Sequence, residues 1–311
     1  MTIEVVEPGV LSTVQDPGGR DAWRHLGVPQ GGAADPWSAR LANRLVGNPD
    51  DAALIEMTLV GPTLRFHRPA TVALTGRLAG SIDGVPLPAD AGRAVRPGAL
   101  LAVGDGDGAR GWLAVGGGID VPSVLGSRST DLRSGFGGLD GRALRAGDRL
   151  RLGASDGRIA RWVGRMRFQD TVRIVDGPHA TGSAGALAAG PFRAGAEADR
   201  TGVRLDGAPV PGGEAPSMGV PPGAIQVPPD GRPIVMLADR PVTGGYLVPA
   251  VVIGADIGRV AQLRPGDDVR FARVTLEEAR EAWRRAEAEL AALEPLGAAG
   301  DDELGWTGSH R

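Results

Sequence analysis

Two stretches of this chain collect residue types that can do chemistry. The first, Thr13-Val14-Gln15-Asp16-Pro17-Gly18-Gly19-Arg20, follows an apolar strand-like run and sets an amide, a carboxylate and a guanidinium around two glycines. Glycine lets a backbone approach a ligand closely, and Arg can grip an anion through two parallel N–H bonds. The same letters also describe a hairpin with a surface salt bridge, and composition alone favours that plainer alternative. The second stretch runs from Gln226 through the apolar strand Pro233–Leu237 to Ala238-Asp239-Arg240 and Val242-Thr243-Gly244-Gly245-Tyr246. A strand that ends in polar groups and paired glycines can wrap an anion or a carbonyl. Equally, Tyr246, the only tyrosine, can simply cap a barrel end.

Other chemistries are excluded by what the chain lacks. All 34 basic residues counted as Lys+Arg are Arg, and Cys is absent. Without Lys there is no Schiff-base nucleophile, no phosphate-loop lysine and no attachment point for biotin or lipoate. Without Cys there is no thiol nucleophile, disulfide or thiolate metal ligand. The four histidines, His25, His67, His179 and His310, have no ligand spacing, so no residue is assigned to a metal. Asp105 and Asp107 sit in a Gly-rich stretch but lack the closing bidentate Glu of a calcium loop. Gly116-Gly117-Gly118 opens no helix and so makes no dinucleotide fingerprint. A net charge of −3 offers no basic face to nucleic acid. No apolar run reaches membrane-spanning length and no signal peptide is evident, which points to a cytoplasmic protein away from membranes.

The elements that must position these residues read as mainly β. Fifty glycines and 25 prolines punctuate short apolar runs throughout, and 311 residues suffice for two domains. Short strands are expected at Leu64–Phe66, Thr71–Thr75, Leu100–Val103 and Trp112–Val115, with turns at Asp83-Gly84 and across Gly104–Gly108. Asp35 and Pro36 start a helix over Pro36–Val46 that plugs one end of a sheet or barrel. Thr275 and Glu278 start a second, amphipathic helix that ends by Pro295. Leu144–Leu152 and Leu263–Phe271 are alike, each a turn entering a strand, and duplication and coincidence are equally open explanations. The domains are therefore placed at 1–155 and 162–275, with a linker near 153–161, the helix at 276–295 and a disordered tail at 296–311.

Many short phrases together carry a resemblance. They include Thr13–Asp16, Gly27-Val28-Pro29 with Gly32 and Asp35, Leu41-Ala42-Asn43 and Leu45–Asn48. Ala73–Gly76, Leu113–Val115, Gly117–Pro122, Gly126-Ser127 and Ser129–Leu132 follow in order, then Asp199-Arg200, Gln226-Val227-Pro228 and Thr243–Tyr246. The chain resembles, over roughly residues 1–275, the family of the 5-oxoprolinase C subunit (KipA/PxpC) and allophanate hydrolase subunit 2, and also the carboxyltransferase region of urea carboxylase. It departs from the family's usual Ala-Asp-Arg-Gln-Thr-Thr-Gly-Gly-Tyr-Pro phrase at Pro241, Val242 and Leu247, and Pro17 lengthens the first segment by one residue.

The resemblance implies two β-barrel-like, cyclophilin-like units and a hetero-oligomer with a B subunit (KipI/PxpB-like) and an A subunit. It implies ATP-dependent opening of 5-oxoproline to L-glutamate, with ATP and Mg shared across the complex and no biotin attached to this chain. Alternatives are a carboxyltransferase-type subunit using biotin carried on another protein, and a non-catalytic regulatory subunit. Asp16, Asp239, Thr243 and Tyr246 are the candidate catalytic residues. Gln15, Arg20, Arg200, Gln226, Arg240, Gly244 and Gly245 are the candidate substrate-binding residues. Any contact to phosphate falls to Arg or to the B subunit, and the isolated chain is expected to show no turnover.

Overall fold

The computed structural model describes residues 2–164, 171–180 and 182–298. The first sheet is built from β1 (Thr2–Glu7), β2 (Leu11–Gln15), β3 (Leu54–Thr58), β4 (Thr63–Phe66), β5 (Ala70–Ile82), β6 (Val85–Leu87), β7 (Arg93–Val95), β8 (Leu100–Val115) and β9 (Arg149–Arg151). Its strands run in the order β2-β3-β8-β4-β1-β9, with β5 also paired to β8 and carrying β6 and β7. Curled into a half-barrel, the sheet turns Val14, Ile55, Leu74, Leu101 and Leu113 into one core.

The second sheet contains β11 (Thr171–Asp176), β12 (Pro191–Ala198), β13 (Gly202–Gly207), β14 (Glu214–Gly219), β15 (Ala224–Val227), β16 (Ile234–Met236), β17 (Thr243–Val252) and β18 (Asp268–Arg273), while β10 (Arg158–Trp162) lies outside it. Its order is β11-β18-β12-β13-β16-β15-β17, and β17 pairs back onto β11 to close a seven-stranded barrel. Closure leaves the barrel strands no free edge. Alternation in β18, where Val269 and Phe271 are buried between exposed or half-buried neighbours, aims one face at this core. β14 hangs on the far side of β17 as a ribbon outside the closed ring.

Among the described residues, four α-helices accompany the sheets: α1 (Pro36–Leu45), α2 (Ser183–Ala189), α3 (Ile257–Ala261) and α4 (Leu276–Leu290). Asp35 caps α1 by accepting from the amides of Trp37 and Ser38, and Pro36 occupies the first turn. Thr275 and Glu278 form the capping box of α4. Although α4 follows the barrel, it packs back on α1: Trp37 and Trp162 meet edge to face at 5.6 Å, and their indole N–H groups bond to Ala286 and Glu289 carbonyls. Leu41, Leu45, Trp112, Ala261 and Leu290 form the apolar layer where the two sheets and α4 join.

Several local expectations are corrected. Gly104–Gly108 makes no turn; it lies inside β8, because β5 continues to Ile82 and pairs with it through Leu78↔Gly106 and Gly80↔Val103 across bulges. A side chain at Gly106 would collide with the Arg77 carbonyl, so glycine serves close strand approach here. The 153–161 linker contains the start of β10, and the last helix stops at Leu290, short of Pro295. β19 (Leu293–Ala298) then pairs with β10, tolerating Pro295 in a two-stranded ribbon. Of the expected tail, residues 299–311 lie outside the described residues, as do Phe168 and His310. The Asp83-Gly84 turn forms as read, with both residues at positive φ between β5 and β6.

Candidate functional site

The two polar stretches, separated by some two hundred residues, meet where the half-barrel abuts the closed barrel. β2 delivers Gln15 and Asp16 to this junction, and the loop beyond it folds onto the segment after β16. Gly31 N donates to the Ala238 carbonyl at 3.2 Å, and the Arg240 guanidinium donates to Gln30 Oε1 at 2.9 Å. Gly31 and Gly32, both at positive φ, let the loop reverse there, and a side chain at Gly32 would press on Gly19.

Asp16 is a structural tie. Its Oδ1 accepts from Gly19 N at 2.8 Å and Ser129 Oγ at 3.1 Å, and its Oδ2 accepts from Ser127 Oγ at 2.7 Å and Arg128 N at 2.5 Å. The carboxylate thereby ties the glycine turn to the 127–130 loop. Gln15 beside it is fully buried and donates to Thr13 Oγ1 and the Thr130 carbonyl.

Arg20 is only 1% exposed, which overturns the surface salt bridge. Its guanidinium stacks 4.6 Å above the Phe136 ring, Nε donates to the Val124 carbonyl at 3.1 Å, and Nη2 donates to the Ser129 carbonyl. Nη1 has no hydrogen-bond partner. Burial lowers the pKa of this guanidinium, opposed by Asp16, Asp131 and Asp239.

On the barrel side, Arg200 grips Asp239 with two bonds, Nε to Oδ2 at 2.8 Å and Nη2 to Oδ1 at 2.9 Å. Its Nη1 meets Glu56 Oε1, and Nη2 also reaches the Gly32 carbonyl at 2.6 Å. Glu56 accepts in turn from Ala34 N at 2.8 Å and Trp112 Nε1 at 2.9 Å. Burial pushes the Glu56 carboxyl up, but Arg200 and Arg110 outweigh it and hold the group below the usual carboxylate range. Burial likewise opposes charge on Arg200, yet Glu56 and Asp239 hold its pKa above that of free Arg. Arg110 lies beside Glu56, its guanidinium bonded to the Ala261 and Asp199 carbonyls and its pKa lowered by burial. Asp239 keeps its side chain 25% exposed at the mouth of this network.

Arg240 is buried and donates to the Val220 and Leu237 carbonyls as well as to Gln30. Burial, helped by nearby Arg24, pushes its pKa down to about 10, so it remains charged at neutral pH. Thr243, Gly244, Gly245 and Tyr246 start β17 on the projecting ribbon with β14; Tyr246, opposite Glu214, is 39% exposed and caps no barrel end. Gln226 lies beneath the ribbon against Gly244, its amide nitrogen lacking a partner.

The junction thus gathers Asp16, Arg20, Arg200, Asp239 and Arg240, while Thr243 to Tyr246 stand on the ribbon beyond it. Sequence reading missed Glu56 and Arg110. The available signal was a charge embedded in a strand run, Leu54-Ile55-Glu56-Met57 and Ala109-Arg110-Gly111-Trp112, which a core tolerates only when paired. Among the described residues, no cluster of three or more His, Cys, Asp or Glu side chains offers a metal site, and no helix is long and apolar enough to cross a membrane.

Comparison with known proteins gives concordant results. The carboxyltransferase domain, subdomain A and B, matches residues 26–273. The C subunit of 5-oxoprolinase from Escherichia coli (strain K12) is 38% identical over 296 residues, covering 90% of this chain and 94% of the relative. Urea amidolyase of Lachancea kluyveri is 34% identical over 94% of this chain, which spans only 18% of that longer protein. The crystal structure of the Kluyveromyces lactis urea carboxylase superposes with a TM-score of 0.86 at 29% identity, over 93% of this chain and 29% of that one.

Proposed function

The chain belongs to the carboxyltransferase domain (subdomain A and B) family, and from that premise we propose that it is the C subunit of an ATP-dependent 5-oxoprolinase, opening 5-oxoproline to L-glutamate together with the B and A subunits. The observation that carries this reading is the likeness to a 5-oxoprolinase C subunit, which extends along nearly the whole of both chains. The likeness to urea amidolyase involves only a small part of that enzyme.

The junction suits such a role. A lactam is a poor electrophile, and phosphorylation of its oxygen by ATP makes the ring carbon open to attack. Charge then accumulates on oxygen, where fixed cationic donors stabilise it most when water is excluded. Arg20 offers a buried guanidinium with one nitrogen uncommitted, which fits an anionic group of the bound substrate and not the reacting oxygen itself. Asp239, oriented by Arg200 and partly open, offers an acceptor for a substrate N–H or an attacking water. ATP and Mg belong to the assembled complex, which works in the cytoplasm as a hetero-oligomer, and the mouth of the junction faces the B subunit.

The test is glutamate release from 5-oxoproline by this chain reconstituted with its B and A partners. Release is expected only with ATP and all subunits, and the isolated chain is expected to be inactive. Steady turnover by the chain alone, or none by the full set, overturns the reading. A second reading, carboxyl transfer from biotin carried by another protein, draws on the close superposition with urea carboxylase. Carboxylation of urea in the presence of a carboxybiotin carrier would select it.

A further inference from the structure

On the 5-oxoprolinase reading above, the surroundings of Gly31 bear on substrate recognition at the junction. The point at which a side chain would begin on Gly31 lies 3.4 Å from Arg20 Nη1 and 3.8 Å from Asp239 Oδ1, and no other group of the described residues beyond the flanking ones lies within 4 Å of it. Glycine therefore keeps a side chain from standing between one cationic donor and one anionic acceptor. The donor is otherwise unexplained: Arg20 is 1% exposed, two of its three nitrogens are bonded, and the third lies beside Gly31 without a partner. A buried donor without an acceptor destabilises a fold, and such groups persist where a ligand completes them.

We propose that Arg20 and Asp239 form a subsite over Gly31 for a ligand with an N–H on the carbon that bears its carboxylate, the fragment presented by a cyclic amino acid such as 5-oxoproline. The ligand carboxylate accepts from Arg20 Nη1, and its ring N–H donates to Asp239. Asp239 has acceptor capacity left, because Arg200 occupies one lone pair on each oxygen. Urea, which has no carboxylate, leaves Arg20 unanswered.

In the present arrangement Nη1 is shut off from water. The ligand reaches it when the strap of residues 18–32 lifts from the barrel. That strap carries a single 3-10 turn, Asp21–Leu26, with no buried residue. Its hydrogen bonds to the barrel side come from three of its residues: Gly31 N to the Ala238 carbonyl, Gln30 with Arg240, and the Gly32 carbonyl with Arg200 Nη2.

Calorimetric titration of the full complex with 5-oxoproline, N-methyl-5-oxoproline, 2-pyrrolidinone and urea tests the proposal. 5-Oxoproline should bind at least about tenfold more tightly than each of the others, since every analogue removes at least one of the two contacts. On this chain, Gly31→Ala and Arg20→Lys should each weaken 5-oxoproline by at least about tenfold, with the circular dichroism spectrum retained. If either variant misfolds, the ligand series on the unaltered complex decides alone. Equal binding of the N-methyl compound or 2-pyrrolidinone, tighter binding of urea, or unchanged affinity in both folded variants overturns the subsite. Glutamate release without this discrimination defeats the subsite and leaves the activity standing. The expected binding series without glutamate release does the reverse.

Discussion

Asp16 and Asp239 are two carboxylates at one junction with opposite surroundings. Asp16 is met by two backbone amides and two serine hydroxyls, all from its own half-barrel, and both oxygens are occupied. Asp239 is met by a single guanidinium from a strand connection of the barrel, and a quarter of its side chain faces outward. Neutral donors converging from two loops hold a shape. An ion pair backed by a second buried carboxylate, Glu56, instead holds a charge in a fixed place and leaves it free to bind something else. A candidate acidic residue is therefore better judged by its spare acceptor capacity than by its neighbours in sequence.

The largest effect should come from removing the support behind Asp239. Glu56→Ala leaves Arg200 and Arg110 buried without their shared counter-charge, and breaking such a pair typically costs about 3–5 kcal/mol. Urea denaturation at pH 7 measures it; a loss below about 1 kcal/mol would mean that the network does not lock the two sheets together. The same residue predicts an acid limit. Because the folded Glu56 pKa lies below its unfolded value, its contribution is complete above about pH 4.5 and is lost as the pH falls through the lower folded value. Glu56→Gln, weaker at pH 7, should lose less additional stability than the parent between about pH 5 and 3, as read by melting temperature.

Next comes the matched pair that sharpens the comparison. In Asp16→Asn either orientation of the amide turns its NH2 toward a backbone N–H, of Gly19 or of Arg128, and stability should fall by about 2–3 kcal/mol. Activity per folded molecule in the reconstituted complex should hold. Asp239→Asn, partly exposed, should lose less stability but at least about tenfold in activity, about 1.4 kcal/mol of transition-state binding. Reversal of the pattern, activity lost at Asp16 and melting temperature lost at Asp239, would refute the division of roles.

Tyr246→Phe should be the mildest. Tyr246 stands exposed on the β14–β17 ribbon, so stability should move by no more than about 0.5 kcal/mol. A fall in activity of the complex at unchanged melting temperature would bring the ribbon into the working site; unchanged activity would remove it.

Local signals accounted for much of the fold. Asp35-Pro36 started α1 and Thr275 with Glu278 started α4, because caps satisfy amides within one turn of themselves. The two similar phrases fold alike: Asp148 Oδ2 accepts from Arg145 N, and Asp267 Oδ2 from Arg264 N, both at 2.8 Å, with Gly147 and Gly266 at positive φ. By contrast, glycines at 104–108 misled, since the same residue permits a turn or a close strand contact and only the presence of β5 selects between them. The start of β10 looked like a linker until β19, far along the chain, supplied its partner.

Residue types and short spacings alone mark a mainly β chain of a recognisable family, leave no Lys or Cys for chemistry, and name Asp16, Arg20 and Asp239 as candidates. These conclusions depend on residue type and short-range spacing, which are written in the letters. It takes the folded chain to show that Asp16 binds its own loops while Asp239 keeps an open side, that Arg20 is buried with one idle nitrogen, and that Glu56 and Arg110 stand behind Arg200. The reason is physical: whether a charged group is solvated, satisfied or poised depends on which distant strand end supplies its partner, and no local pattern carries that information.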